Sequence, residues 1–159
     1  MPAPRSPEAP PRTVHLPVSR FSALHDHTVG AFPAAAAGLL LGDPATLRVE
    51  GVQPVRRPGG AAPRAQDLQA ARDAARQAGT GVLGHYASRP DGSALPSTPD
   101  RLPGDGPHVC LLAAVHGPDG PEGDGAVTRL TELRAWRLSD DGAHALDLVL
   151  LPSPARGAR

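Results

Sequence analysis

Nine consecutive residues, 108–116, read "HVCLLAAVH". Everything between the two histidines is apolar. Pro107 precedes the run and Gly117 follows it. An uninterrupted apolar run of this length does not suit an edge strand with one face in water. It suits a strand at the centre of a sheet. The rest of the chain has to be arranged around that strand.

Its neighbours are legible from period and punctuation. "LRVEGVQPV", 47–55, alternates as a strand. It is expected to pair with Gly38–Leu41, across a turn signalled by Asp43-Pro44. "GVLGHY", 81–86, reads as a short strand. "VTRLTELRAWRL", 127–138, and "AHALDLVLL", 143–151, alternate as two strands of a hairpin, with Asp140–Gly142 as the turn. Two helices are expected. Pro17 opens the first, which carries Val18, Phe21, Leu24, Thr28 and Phe32 at helical spacing and ends at Pro33. The second runs over 63–78, from Pro63 to Gly79, with Leu68, Ala71, Ala75 and Ala78 as a narrow apolar stripe. Ser97 and Asp100 in "STPD" fit a further helix start. Residues 1–13 and 152–159 read as a flexible Pro-rich leader and a flexible tail around one domain, 14–151.

Composition excludes several roles. Sixteen basic and sixteen acidic residues give a net charge of zero, so no electrostatic footprint for nucleic acid or an anionic membrane is present. All sixteen basic residues are arginine, which leaves no side-chain amine for a Schiff base or an isopeptide bond. A single cysteine, Cys110, precludes an internal disulfide and reads as a buried thiol. No apolar run reaches membrane-spanning length, and the first residues lack the apolar segment of a signal peptide. A cytoplasmic location is the expectation. Aromatics make up only 3% of the chain, so the core must be built from small aliphatic side chains.

One stretch carries more specific information. "FPAAAAGLLLG", "GHYASRP", "PSTPD" and "RAWR" occur in the order helix end into strand, strand, helix start, strand. In that order they resemble the JAMM/MPN (JAB) domain family, in its small bacterial single-domain form. The resemblance spans about Leu16 to Leu151. It implies an α/β fold of JAMM/MPN type, a cytidine-deaminase-like sandwich with a mixed β-sheet flanked by helices. It further implies descent from zinc peptidases. In active members two histidines and an aspartate hold zinc and leave an open position for water. A glutamate acts as general base on that water.

Carried over position by position, the implied site is broken. Ala87 and Arg89 stand where the two histidines belong. Ala35 stands where the glutamate belongs, and Ala37 replaces a customary cysteine. Ser97 and Asp100 retain the family serine and the family carboxylate ligand. A lone carboxylate does not hold a catalytic zinc, and the permanent guanidinium charge of Arg89 opposes a dication. Arg89 could instead pair with Asp100. No catalytic residue, metal ligand or cofactor is therefore expected. The expected role is a catalytically inactive scaffold or protein-interaction module. Its partner would be a protein, such as an active MPN relative or a ubiquitin-like protein, with no nucleic acid and no membrane. The alternative is a JAMM-type zinc metallopeptidase or isopeptidase acting on ubiquitin-like or sulfur-carrier tails. Its zinc would be held by Asp100 with a recruited His85 or His116. As plain sequence, His85 reads as a half-exposed strand histidine and His116 as a loop histidine. His25 and His27 read as a solvated helix face, and His15, His108 and His144 as surface or edge positions.

Overall fold

The computed structural model describes residues 11–55, 64–96, 107–118 and 127–152. Seven strands and two helices follow one another. They are β1 (Thr13–Pro17), α1 (Val18–Ala31), β2 (Ala37–Asp43), β3 (Arg48–Val55), α2 (Ala65–Gln77), β4 (Gly81–Pro90), β5 (His108–His116), β6 (Arg129–Ser139) and β7 (Gly142–Leu151). Around the sheet the order is β1-β3-β2-β4-β5-β6-β7, and the circuit closes into a barrel. The β2–β3, β2–β4, β5–β6 and β6–β7 pairs are antiparallel. The β4–β5, β1–β7 and β1–β3 pairs are parallel.

The apolar run His108–His116 is the key to this arrangement. Successive strand residues point to opposite faces. Val109, Leu111, Ala113 and Val115 belong to the central cluster with Leu16, Leu24, Leu40 and Tyr86. Cys110, Leu112 and Ala114 belong to a second cluster on the other face, with Ala87, Ala94, Leu138 and the half-buried Trp136. Both faces of β5 are covered, so the run has no polar beat. A third cluster forms where α2 lays Leu68 and Ala71 on Leu39, beside Leu41, Val55 and Val82. Each fully buried leucine in these clusters contributes about 1.5–3 kcal/mol of transfer free energy.

The expected α/β sandwich with a helix-flanked sheet is corrected by this structure. Among the described residues the fold is a closed, mixed seven-stranded β-barrel with two helices. The reason lies in β1, which sequence patterning did not show as a strand. Its five residues begin at Thr13, the last residue assigned to the leader. They pair in parallel with Asp147–Leu151 of β7, from Thr13↔Asp147 to Pro17↔Leu151. The His15 N–H also donates to the Leu47 carbonyl at 2.9 Å, which bridges β1 to β3. A sheet that would otherwise end at β3 and β7 is thereby joined on itself, and edges are removed. α1 packs against β3, β1, β7, β6 and β5, which follow one another round the barrel.

Close approaches explain two glycines. A Cβ on Gly38 would lie 2.3 Å from the Tyr86 ring, its partner across the β2–β4 ladder. A Cβ on Gly84 would lie 1.7 Å from the Val109 carbonyl oxygen on β5. The barrel wall closes over Tyr86 because both positions lack a side chain.

Two regions positioned for function

The strand ends gather at two poles. At one pole lie the start of β2, the end of β4 and the end of β5. The positions singled out by the motif resemblance meet here. The Ala36 N–H donates to the Ser88 hydroxyl at 2.7 Å, and the Ser88 N–H donates to the Ala36 carbonyl at 2.8 Å. Ala37 faces Ala87 in the next ladder position. Continuing that register sets Ala35 across from Arg89. Three of the sequence-predicted positions, Ala35, Ala87 and Arg89, are therefore brought to one corner. Ser97 and Asp100, and with them the Arg89–Asp100 pair and the helix start, lie outside the described residues.

What this corner can do chemically follows from its side chains. The Ala87 methyl packs into the apolar cluster of Ala94, Cys110 and Leu112. The Ser88 hydroxyl already accepts the Ala36 N–H. Arg89 brings a fixed positive charge. Methyl groups and a guanidinium do not fit a zinc ion, so no zinc chemistry is derived for this corner.

The candidate replacement ligands are far apart. His85 is 1% exposed, not half-exposed as its strand pattern suggested. It faces Cys110 across the β4–β5 ladder. Its ring lies 5.6 Å from that of His108. His116 ends β5, with its Nδ1 3.6 Å from Asp91 Oδ1. His116 lies six strand steps beyond Cys110, about 20 Å at 3.3 Å per residue. One ion cannot take both histidines. Among the described residues, no three His, Cys, Asp or Glu side chains are grouped so as to hold a metal.

The paired helix histidines also separate, as positions two apart on a helix should. His25 Nδ1 lies 3.2 Å from Asp26 Oδ1 at the surface. His27, by contrast, is not on a solvated face. Its Nδ1 lies 2.7 Å from the Tyr86 hydroxyl, and the two rings meet edge to face. Burial pushes the Tyr86 hydroxyl well above its ordinary pKa. The signal was available in the sequence. Leu24 and Thr28 mark the inward stripe of α1, and His27 lies three residues from Leu24.

The opposite pole was missed. There the β2–β3 turn, the starts of β4 and β5 and the β6–β7 hairpin surround a cleft of about 710 Å³. Leu47, Val82, Leu83 and Val109 form an apolar floor, with Pro11, Pro44 and Pro107 around it. Arg137, Ser139, Asp140, Asp141 and His144 line it from the hairpin, and His108 from β5. The Arg137 guanidinium donates to the Pro11 carbonyl. Turn residues and edge histidines that carried no message separately meet at one opening because the strands that bear them end together. None of the described helices is long and apolar enough to cross a membrane.

No protein-family model matches the chain, and no curated protein matches it. Solved structures do. The chain is similar to the solution structure of protein DSY2949 from Desulfitobacterium hafniense, at 21% identity and a TM-score of 0.67, over 91% of this chain and 97% of that one. It is also similar to the solution structure of a protein from Salinibacter ruber, at 27% identity and a TM-score of 0.59, over 92% of this chain and 94% of that one. The expected description as a JAMM/MPN, metallopeptidase-like protein with a lost zinc site is corrected accordingly. The fold is a closed barrel and not the sandwich that the resemblance implied. What the comparisons establish is a fold, a β-barrel shared along nearly the whole chain with these two proteins.

Proposed function

We propose that this chain is a catalytically silent protein-interaction module. The observation that carries the reading is the chemistry of the corner where β2 meets β4. Ala35 and Ala87 offer methyl groups, and Arg89 is permanently charged. The Ser88 hydroxyl is committed to the Ala36 N–H. General-base and nucleophilic catalysis need a titratable or activated group at such a position. The surface gives a protein partner something to bind. Val149 and Leu150 are 42% and 47% exposed beside the β1–β7 ladder, and Val18, just beyond it, is 39% exposed. A formed cleft opens at the other pole.

The test is metal content and hydrolysis. The protein is purified in the presence of zinc, dialysed and assayed by elemental analysis, with circular dichroism to confirm folding. The expected result is a folded protein with zinc far below one ion per chain and no cleavage of ubiquitin-like tails. Near one zinc per chain, lost on Asp100→Ala and accompanied by amide hydrolysis, would overturn the proposal.

A further inference from the structure

We propose that the barrel end between β6, β7 and β1 binds a phosphate group, free or carried on a small molecule. The inference goes beyond the interaction-module reading, and neither depends on the other. Beside the large cleft lies a second cavity of about 420 Å³, lined by Arg12, Arg137, Ala143, His144, Ala145 and Leu146. Sheet register explains why these residues meet. β6, β7 and β1 are neighbours in the barrel. Across the β6–β7 ladder Arg137 faces His144, and Ala135 faces Leu146. Ala135 and Leu146 belong to the central cluster, so alternation turns Arg137 and His144 to the same inner face. Arg12 lies two residues before Val14, which is also in that cluster. The Asp147 N–H donates to the Arg12 carbonyl at 2.8 Å, which ties this residue to β7. Three neighbouring strands thus bring two arginines and a histidine together above the apolar core.

The charge here has one sign. The lining residues include no carboxylate. Asp140 and Asp141 line the large cleft and not this cavity. Asp147 alternates to the other face from Leu146 and Leu148. Among the described residues, no carboxylate is ion-paired with Arg12 or Arg137. Two guanidinium groups at one cavity repel each other, and an anion between them reverses the sign of that interaction. Arg137 is also held in place. Half-buried, it donates to the carbonyl of Pro11, the residue next to Arg12. That bond engages one of the five guanidinium donors. The planar fork of the donors matches phosphate oxygens two at a time. His144 adds one ring N–H in either neutral tautomer. About 420 Å³ falls within the range of small-ligand sites, roughly 300–1,000 Å³, so a small organic group fits beside the phosphate. Leu146 and the two alanines give that group an apolar wall.

The test titrates the full chain, labelled with ¹⁵N, with inorganic phosphate and with phenyl phosphate, at an ionic strength held constant by sodium chloride. Saturable shifts are expected at the amides of residues 143–146 and at the Arg137 Nε–H. Tighter binding of phenyl phosphate assigns the site to a phosphate monoester. Equal or tighter binding of inorganic phosphate assigns it to the free ion. Arg12→Gln is expected to weaken binding about fivefold, and Arg137→Gln about tenfold. Arg137→Lys keeps the charge without the fork, and is expected to recover only part of the loss. Arg72→Gln, at an exposed position of α2, is expected to leave binding unchanged. Circular dichroism checks the folding of each variant. Arg12 is exposed, so Arg12→Gln decides the matter even where Arg137→Gln does not fold. Saturation by neither compound, shifts centred elsewhere, an unchanged affinity in Arg12→Gln, or equal weakening in Arg72→Gln would each overturn the inference. None of these results bears on zinc content, which tests the silent-module reading separately.

Discussion

The chain has one tyrosine, and the barrel closes over it. Tyr86 is 1% exposed, faces Gly38 on β2 and Leu111 on β5, and meets His27 through its hydroxyl. Removing the phenolic proton would bury an anion among aliphatic side chains, so burial raises its pKa. In the unfolded chain the same hydroxyl titrates near its ordinary value of about 10. Above about pH 10 the unfolded state therefore loses a proton that the native state keeps. Stability from this group is complete below about pH 10 and then falls by about 1.4 kcal/mol per pH unit. By pH 12 the loss is about 2.7 kcal/mol, a sizeable part of the ~5–15 kcal/mol that holds a typical domain. The assay is phenolate absorbance near 295 nm during a pH titration. Fluorescence of the single tryptophan, Trp136, and far-ultraviolet circular dichroism are followed in parallel. The expected result is silence through pH 10, then phenolate appearing together with loss of structure in one cooperative step. Phenolate formation near pH 10 with the other two signals unchanged would refute the burial of Tyr86 and the packing built around it.

Two substitutions probe the wall over that ring. Gly38→Ala places a Cβ 2.3 Å from the Tyr86 ring. Chemical denaturation should show a loss of about 1–3 kcal/mol, the usual cost of overpacking. A neutral result would mean that the ring is not pressed against β2. Ser88→Ala removes the hydroxyl that accepts the Ala36 N–H at 2.7 Å. It should cost about 1–3 kcal/mol for the buried donor left unpaired. It should also speed exchange of the Ala36 amide.

Much of the local structure was legible because local chemistry dictates it. The apolar run 108–116 became β5 with the same bounds. The helix bounded by Pro63 and Gly79 formed over Ala65–Gln77. The final hairpin turned at Asp140 and Asp141. Closure was not legible. It depends on five residues, "TVHLP", pairing with the far end of the chain, and no periodicity within so short a segment announces that partner. The same blindness affected the histidines. His85 reads as half-exposed on a short strand, but β4 is covered on both faces, so its outward side is buried too. His108 and His144 read singly as surface or edge positions, and only the meeting of strand ends sets them around one cleft. Ala35, Ala87 and Arg89 share a corner because β2 pairs with β4 in a register that sets Ala37 opposite Ala87.

Barrel closure by β1 is the claim on which the rest depends, and nuclear Overhauser contacts test it most directly. In the closed barrel the backbone protons of His15 and Leu16 lie beside those of Val149 and Leu150. The His15 amide, bonded to the Leu47 carbonyl, is expected to be protected from exchange. Cross-strand contacts between residues 13–17 and 147–151, with a slowly exchanging His15 amide, are the predicted result. Absence of those contacts, with residues 13–17 exchanging freely while β4 and β5 stay protected, would mean an open sheet and would contradict the fold described here.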